Sequence, residues 1–171
     1  RMKPDERRPY FEERLKQAFG SARLLRFEIS PEEIRDTTQP LKLTMSFEIE
    51  NAIAGGATES VLQVPTLINQ FGLFGRVIGA GVGLERRRFP LLLQFTCGSQ
   101  ETVRLDLSRS GKSVAALPAY DVIETPQLYL ARHIESAGDV LTATAAIMLR
   151  TVEFSPAEYL TLKENLKTSE R

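Results

Sequence analysis

The chain has 171 residues, 42% hydrophobic and 26% charged, an ordinary globular composition that excludes an intrinsically disordered protein. Lys+Arg and Asp+Glu balance at 22 each, so no long-range field draws the chain to nucleic acid or to an anionic membrane. The longest weakly polar stretch, 71–84, contains Arg76 and is too short to span a bilayer, so no transmembrane segment is expected in this chain.

The first eight residues are densely charged and read as a linker or disordered lead-in. Arg1 stands ahead of Met2, which leads us to expect a piece of a longer protein, and no signal peptide is visible. Pro9 suits a first helical position, and Phe11, Leu15 and either Ala18 or Phe19 recur at helical spacing, so the pattern predicts a helix over 9–19 closed by Gly20. From Ala22 to Ile29 the period becomes strand-like but only partly alternating. Ser30-Pro31-Glu32-Glu33 then has the form of a capping box and predicts one helical turn.

The clearest strand runs from Leu41 to Glu50. Leu41, Leu43, Met45, Phe47 and Ile49 alternate with Lys42, Thr44, Ser46, Glu48 and Glu50, implying one buried and one wet face. Gly55-Gly56 predicts a turn, and 59–64 a strand ending at Pro65. The segment 66–84 reads as a long irregular connection. Further strands are predicted over Phe89–Phe95, Glu101–Leu107, near Val114, over Tyr120–Glu124 and Leu128–Glu135, and, after the turn Ser136-Ala-Gly-Asp139, over Val140–Glu153.

At the end, Ser155-Pro156-Ala157-Glu158 places a hydroxyl at the N-cap, proline at the first helical position and a carboxylate at the third. Phe154 and Tyr159 are spaced for a hydrophobic staple, and Tyr159, Leu162 and Leu166 form an apolar stripe, so a helix is expected over 155–168. The expected fold is mainly β: a two-layer antiparallel β-sandwich with a short N-terminal and a C-terminal helix. It forms one domain over 9–168, with strands between 22 and 153. The expected inner face includes Leu41, Leu43, Met45, Phe47, Ile49, Leu105 and Leu141.

Residues capable of chemistry are scarce. Cys97 is the single cysteine and His133 the single histidine. With Asp139 they can be drawn as a Cys…His…Asp triad, but no helix stands behind Cys97 to activate it, and an inert thiol and a surface imidazole are the readings preferred. No metal-ligand set is recognisable, no Asp-x-Asp-x-Asp-Gly calcium series occurs, and no cofactor is expected. Gly79-Ala-Gly-Val-Gly83 lacks the Gly-Lys-Ser/Thr ending of a phosphate loop. The apolar residues around it, including Phe71, Leu73 and Phe74, read as cover for one open end of the core or as a partner contact. Arg86-Arg87-Arg88 reads as a solvated edge or as a contact for an acidic neighbouring domain. Phe71, Leu73, Phe74 and the three arginines make up the expected interaction surface.

Matching residues spread from about Pro9 to Leu166. They include Gly20-Ser-Ala-Arg23, Pro40-Leu41-Lys-Leu43, Arg88-Phe89-Pro90, Gly111-x-x-Val114-x-x-Leu117-Pro118, Tyr129, Gly138-x-x-Leu141, Arg150 and Phe154-Ser-Pro-Ala-Glu-Tyr159-x-x-Leu162-Lys163. In their order and spacing the chain resembles a bacterial C-terminal domain family of unknown function, found in multidomain proteins whose middle domain is transglutaminase-like. Ser108 departs from the proline that relatives tend to carry, and 72–83 is richer in glycine. The resemblance implies that any cysteine chemistry belongs to an upstream transglutaminase-like domain. It also implies a periplasmic or cell-surface parent.

Three functions follow as expectations. The favoured one is a non-catalytic accessory domain that packs against or positions the transglutaminase-like domain, of the same polypeptide or another. The alternative is a saccharide- or peptide-binding module, which requires a concave patch bearing residues such as Tyr120 and Tyr129. An enzyme using Cys97 and His133 stands last and requires the two within hydrogen-bond reach.

Overall fold

The computed structural model describes residues 3–33, 36, 38–50, 52–56, 60–66 and 82–169. The expected surface residues Phe71, Leu73 and Phe74, and the glycine-rich run up to Gly81, lie outside them. The chain forms two compact units, Arg1–Pro65 and Thr66–Arg171. It is mainly β, every strand pair among the described residues is antiparallel, and a helix stands near each end.

In the first unit, helix α1 spans Pro4–Phe19. It therefore begins at Pro4 rather than Pro9, and the expected linker over 1–8 is largely its first turn. The signal lies in Pro4 at the first helical position, in acidic Asp5 and Glu6 beside the positive end of the helix, and in the Lys3 backbone N–H, which donates to the Glu6 carboxylate at 2.7 Å. Pro9 falls inside the helix, where the amide bond it forfeits would have gone to a first-turn carbonyl. Leu15 and Phe11 are buried, and Phe11 meets Phe27 at 5.1 Å between ring centroids. Gly20 follows with φ +63°, a conformation open to glycine without penalty.

Strands β1 (Ala22–Ser30) and β2 (Lys42–Ile49) pair from Ala22↔Ile49 to Ser30↔Lys42. The register slips between Leu24 and Arg26, leaving Leu25 as an extra residue. This bulge explains the imperfect alternation. Ala22 and Leu24 face inward before it, Phe27 and Ile29 after it, so one inserted residue keeps the apolar set on one face. On β2 the expected alternation is present residue by residue, but Leu41 lies just outside the strand and is 62% exposed, so it leaves the expected inner face. After Ser30 the chain bends instead of making the expected helical turn. A short hairpin, β3 (Ile53–Gly55) with β4 (Ser60–Leu62), completes the unit.

The second unit contains β5 (Leu91–Leu92), β6 (Gly98–Asp106), β7 (Ile123–Glu124), β8 (Leu128–Ala137), β9 (Val140–Leu149), β10 (Glu153–Phe154) and helix α2 (Pro156–Ser169). A four-stranded sheet has the order β6-β9-β8-β7, and β10 pairs separately with β5. β8 and β9 join through Gly138, at φ +58°, and Asp139. Three expected strands shrink or vanish: Phe89–Phe95 reduces to Leu91–Leu92 behind Pro90, Tyr120–Glu124 reduces to Ile123–Glu124, and the chain around Val114 forms no ladder. The expected single strand over Val140–Glu153 is broken at Arg150. Its amide donates to Gln127 O at 2.8 Å, and its guanidinium reaches Thr125 O and Glu124, turning the chain into the second ladder.

The core of this unit gathers Leu91, Leu128, Leu149, Phe154, Tyr159 and Leu162, with Ile123, Ile147, Cys97 and Leu166 packed against them. Burying each large apolar side chain contributes about 2 kcal/mol. The start of α2 is built as its sequence implies. Ser155 N–H donates to Glu158 Oε2 at 2.8 Å, Glu158 N–H donates to Ser155 Oγ at 3.3 Å, and Phe154 and Tyr159 are both sealed from solvent. The bonds from Ser155 hold the Glu158 carboxyl below its ordinary pKa.

Candidate functional site

β8 and β9 pair along their whole length, so the side chains of the sheet fall into rows across it. Leu128, Leu130 and Ile134 of β8 share a face with Leu149, Ile147 and Ala143 of β9, and the core cluster covers the Leu128–Leu149 end of it. Tyr129, Ala131 and His133 point the other way, opposite Met148, Ala146 and Thr144. On β6, Gln100 continues the row of Ala131 and Ala146. That outward face carries a groove of about 400 Å³.

The two alanines lower its floor. A pleated surface is ordinarily filled by β-branched or longer side chains, and small residues at its centre leave the backbone approachable. Tyr129 stands at one end of the floor, His133 and Thr144 at the other, and Gln100 on the far side. The wall beyond β8 comes from the chain ahead of β7. Only Ile123 and Glu124 pair there, and Tyr120 and Val122, outside the ladder, line the groove. By strand geometry the floor measures about 10 Å across β9 from β8 to β6 and about 13 Å along β8 from Tyr129 to His133.

Two arginines hold the tyrosines. The Arg132 guanidinium lies 5.7 Å from the Tyr120 ring centroid, and that of Arg150 lies 5.6 Å from the Tyr129 ring while pairing with Glu124 at 2.8 Å. Tyr120 remains 40% exposed. His133 is exposed, with Nε2 3.6 Å from Glu135. The groove therefore offers aromatic surfaces and hydroxyl, amide and imidazole groups around an apolar floor.

The other sequence-flagged residues do not join it. Cys97 lies on the core side of the sheet, where burial pushes its thiol pKa up. Its carbonyl accepts from Leu149 N–H at 2.8 Å, which places it level with Leu128. His133 is on the opposite face, five residues further along β8 and two strands away, a separation of roughly 19 Å by strand geometry. Asp139 is in the β8–β9 turn. The three make no catalytic constellation. Of the arginine run, Arg87 stands over the Tyr159 ring at 5.6 Å, whereas Arg86 and Arg88 are exposed. Near them Phe89 is 78% and Leu92 70% exposed.

Sequence reasoning placed Tyr120 and Tyr129 on any ligand patch but missed Gln100, Arg132 and Thr144. The available signal was the run Thr142-Ala-Thr-Ala-Ala146, an unusual set of small residues for the middle of a strand. Among the described residues no group of three or more His, Cys, Asp or Glu is placed to hold a metal ion, and no helix is long and apolar enough to cross a membrane. Comparison with protein-family models, with curated proteins and with solved structures finds no match to the chain.

Proposed function

We propose that the chain is a non-catalytic binding module of a larger transglutaminase-like protein, and that the groove on the outer face of β6, β9 and β8 is its ligand site. The observation that carries this reading is the convergence of Tyr120 and Tyr129, from either side of the β7–β8 turn, around a floor of Ala131 and Ala146. Large aromatic side chains left half open on a solvent face cost more than polar ones there, and a concave apolar floor with convergent polar groups is the usual form of a small-ligand site. Saccharides and short peptides fit this surface, which binds and orients but holds no nucleophile and base pair. Such a module brings a glycan or peptide to a catalytic domain that acts elsewhere in the same protein, at the cell surface or in the periplasm.

The test is a titration of the isotope-labelled chain with a panel of neutral and acidic oligosaccharides and of extended peptides, read by amide and side-chain chemical shifts. Shifts concentrated at Tyr120, Tyr129, His133 and Gln100, and lost in Tyr129→Ala, are expected. A panel that leaves these signals unmoved would overturn the proposal. A second reading, docking onto the transglutaminase-like domain, is favoured by the exposed Phe89 and Leu92 beside Arg86 and Arg88. Phe89→Asp with Leu92→Asp should then abolish association with that domain while leaving groove binding intact.

A further inference from the structure

We infer that the chain forms a two-fold dimer by pairing the open edge of β6 with the same edge of a second copy, with Thr102 on the axis. β6 ends its sheet: β9 lies on one side of it, and among the described residues no strand lies on the other. Its 9 residues, Gly98–Asp106, pair with β9 without a slip in register. The hydrogen bonds at its two ends fix which groups are left over. Leu149 N–H donates to Cys97 O and Leu107 N–H donates to Asp139 O, both at 2.8 Å. Hydrogen-bonded residues alternate along an antiparallel ladder, so Ser99, Glu101, Val103 and Leu105 turn their main chain towards β9. The main-chain groups of Gln100, Thr102 and Arg104 therefore point out of the sheet edge, and all three residues are exposed. No proline, lysine or bulge blunts this edge, and a long regular edge of that kind is a template for another strand.

The sequence of β6 says which strand fits. Paired residues share a face of the sheet, so two copies related by a two-fold axis meet in registers centred on a single residue. Centred on Glu101 or on Arg104, a charge meets its own copy. Centred on Val103, the two Arg104 side chains become diagonal neighbours and the ladder shortens. Centres nearer either end overlap few strand residues. Centred on Thr102, the whole of β6 overlaps: Gln100 lies opposite the partner's Arg104, Gly98 opposite the partner's Asp106, and Glu101 opposite the partner's Val103. No charge then faces its like. In this register Gly98, Gln100, Thr102, Arg104 and Asp106 exchange about ten main-chain hydrogen bonds with the second copy, as many as a stable interface commonly carries. Another strand would find the same main-chain groups; the second copy also matches their side chains. The two outer faces join in one continuous sheet, and the partner's Arg104 stands beyond Gln100 at the rim of the groove.

Sedimentation of the wild-type chain over a wide concentration range, with hydrogen exchange of the β6 amides, tests this. A dimer is expected, with the amides of Gln100, Thr102 and Arg104 protected in it and released on dilution. Thr102→Pro removes only an outward N–H, which a free edge tolerates, and should weaken the dimer at least about tenfold. Gln100→Arg sets like charges opposite each other at two places, and Gln100→Glu sets opposite charges there. The first should raise the dissociation constant and the second lower it, each by about threefold or more. Circular dichroism of each variant separates a lost interface from a lost fold, and dilution of the wild-type chain decides the matter without any variant. The reverse order of the two Gln100 variants would overturn the Thr102 axis. A chain that stays monomeric at every concentration would overturn the dimer. Edge amides whose protection ignores concentration would overturn it too, since the chain would then be covering its own edge.

Discussion

The same two strands, β8 and β9, build the buried core on one face and the groove on the other, and the contrast lies in adjacent residues. Along β9, Leu141, Ile147 and Leu149 face inward, and Thr142, Thr144, Ala146 and Met148 face outward. The inner side is closed by large side chains from α2 and from the β10–β5 ladder, with Tyr159 and Phe154 sealed from solvent. The outer side is left deliberately shallow by alanine. Rigidity on one face allows the other to hold tyrosines at fixed positions, because the strand that presents Tyr129 and His133 is anchored by Leu128 and Leu130.

This contrast can be broken from the core side first. Tyr159→Ala removes a fully buried ring and its hydrogen bond to Leu84 O, and should destabilise the chain by about 4 kcal/mol in urea unfolding. An effect under about 1 kcal/mol would show that α2 does not seal the core as described. Ser155→Ala removes the helix cap and should cost about 1 kcal/mol, with the loss confined to α2 amides in hydrogen exchange.

A smaller effect should appear in acid. The Glu158 carboxyl is held low by its bonds to Ser155, so its stabilisation is complete above the unfolded carboxylate pKa and is lost as pH falls through the folded one. Glu158→Gln should therefore lower stability at neutral pH, converge on the wild-type chain in acid, and so flatten part of the acid limb of a stability-against-pH curve. The outer face should respond in the opposite way. Ala146→Val raises β propensity on an open surface and should shift stability by no more than about 0.5 kcal/mol, yet it fills the groove floor and should abolish ligand binding. Loss of stability there, or retained binding, would show that the two faces are not divided as proposed.

Much of the local structure was legible. The alternation from Lys42 to Ile49 and the cap-and-staple run Phe154–Tyr159 are realised residue by residue, because each rests on near neighbours in the chain: the pleat, the first helical turn and the proline at its start. The bulge at Leu25 left its trace as a slip in the pattern. Less local features were not readable. Pro9 suggested a helix start, but one turn already formed ahead of it from Pro4. Val140–Glu153 read as one strand because nothing in its pattern announces that Arg150 will bind the turn before β8 and divert the chain into a second ladder.

The groove shows the same limit. Composition and the scarcity of Cys and His directed attention to binding, and the tyrosines were identifiable as residues that a binding surface would use. What brought Tyr120 beside Arg132, aligned Ala131 with Ala146 and Gln100, and put Cys97 and His133 on opposite faces was strand order and register. Periodicity determines which side of its own strand a residue faces. Only the pairing of strands decides which other residues share that side, since those contacts are set by long-range hydrogen bonding and core packing together.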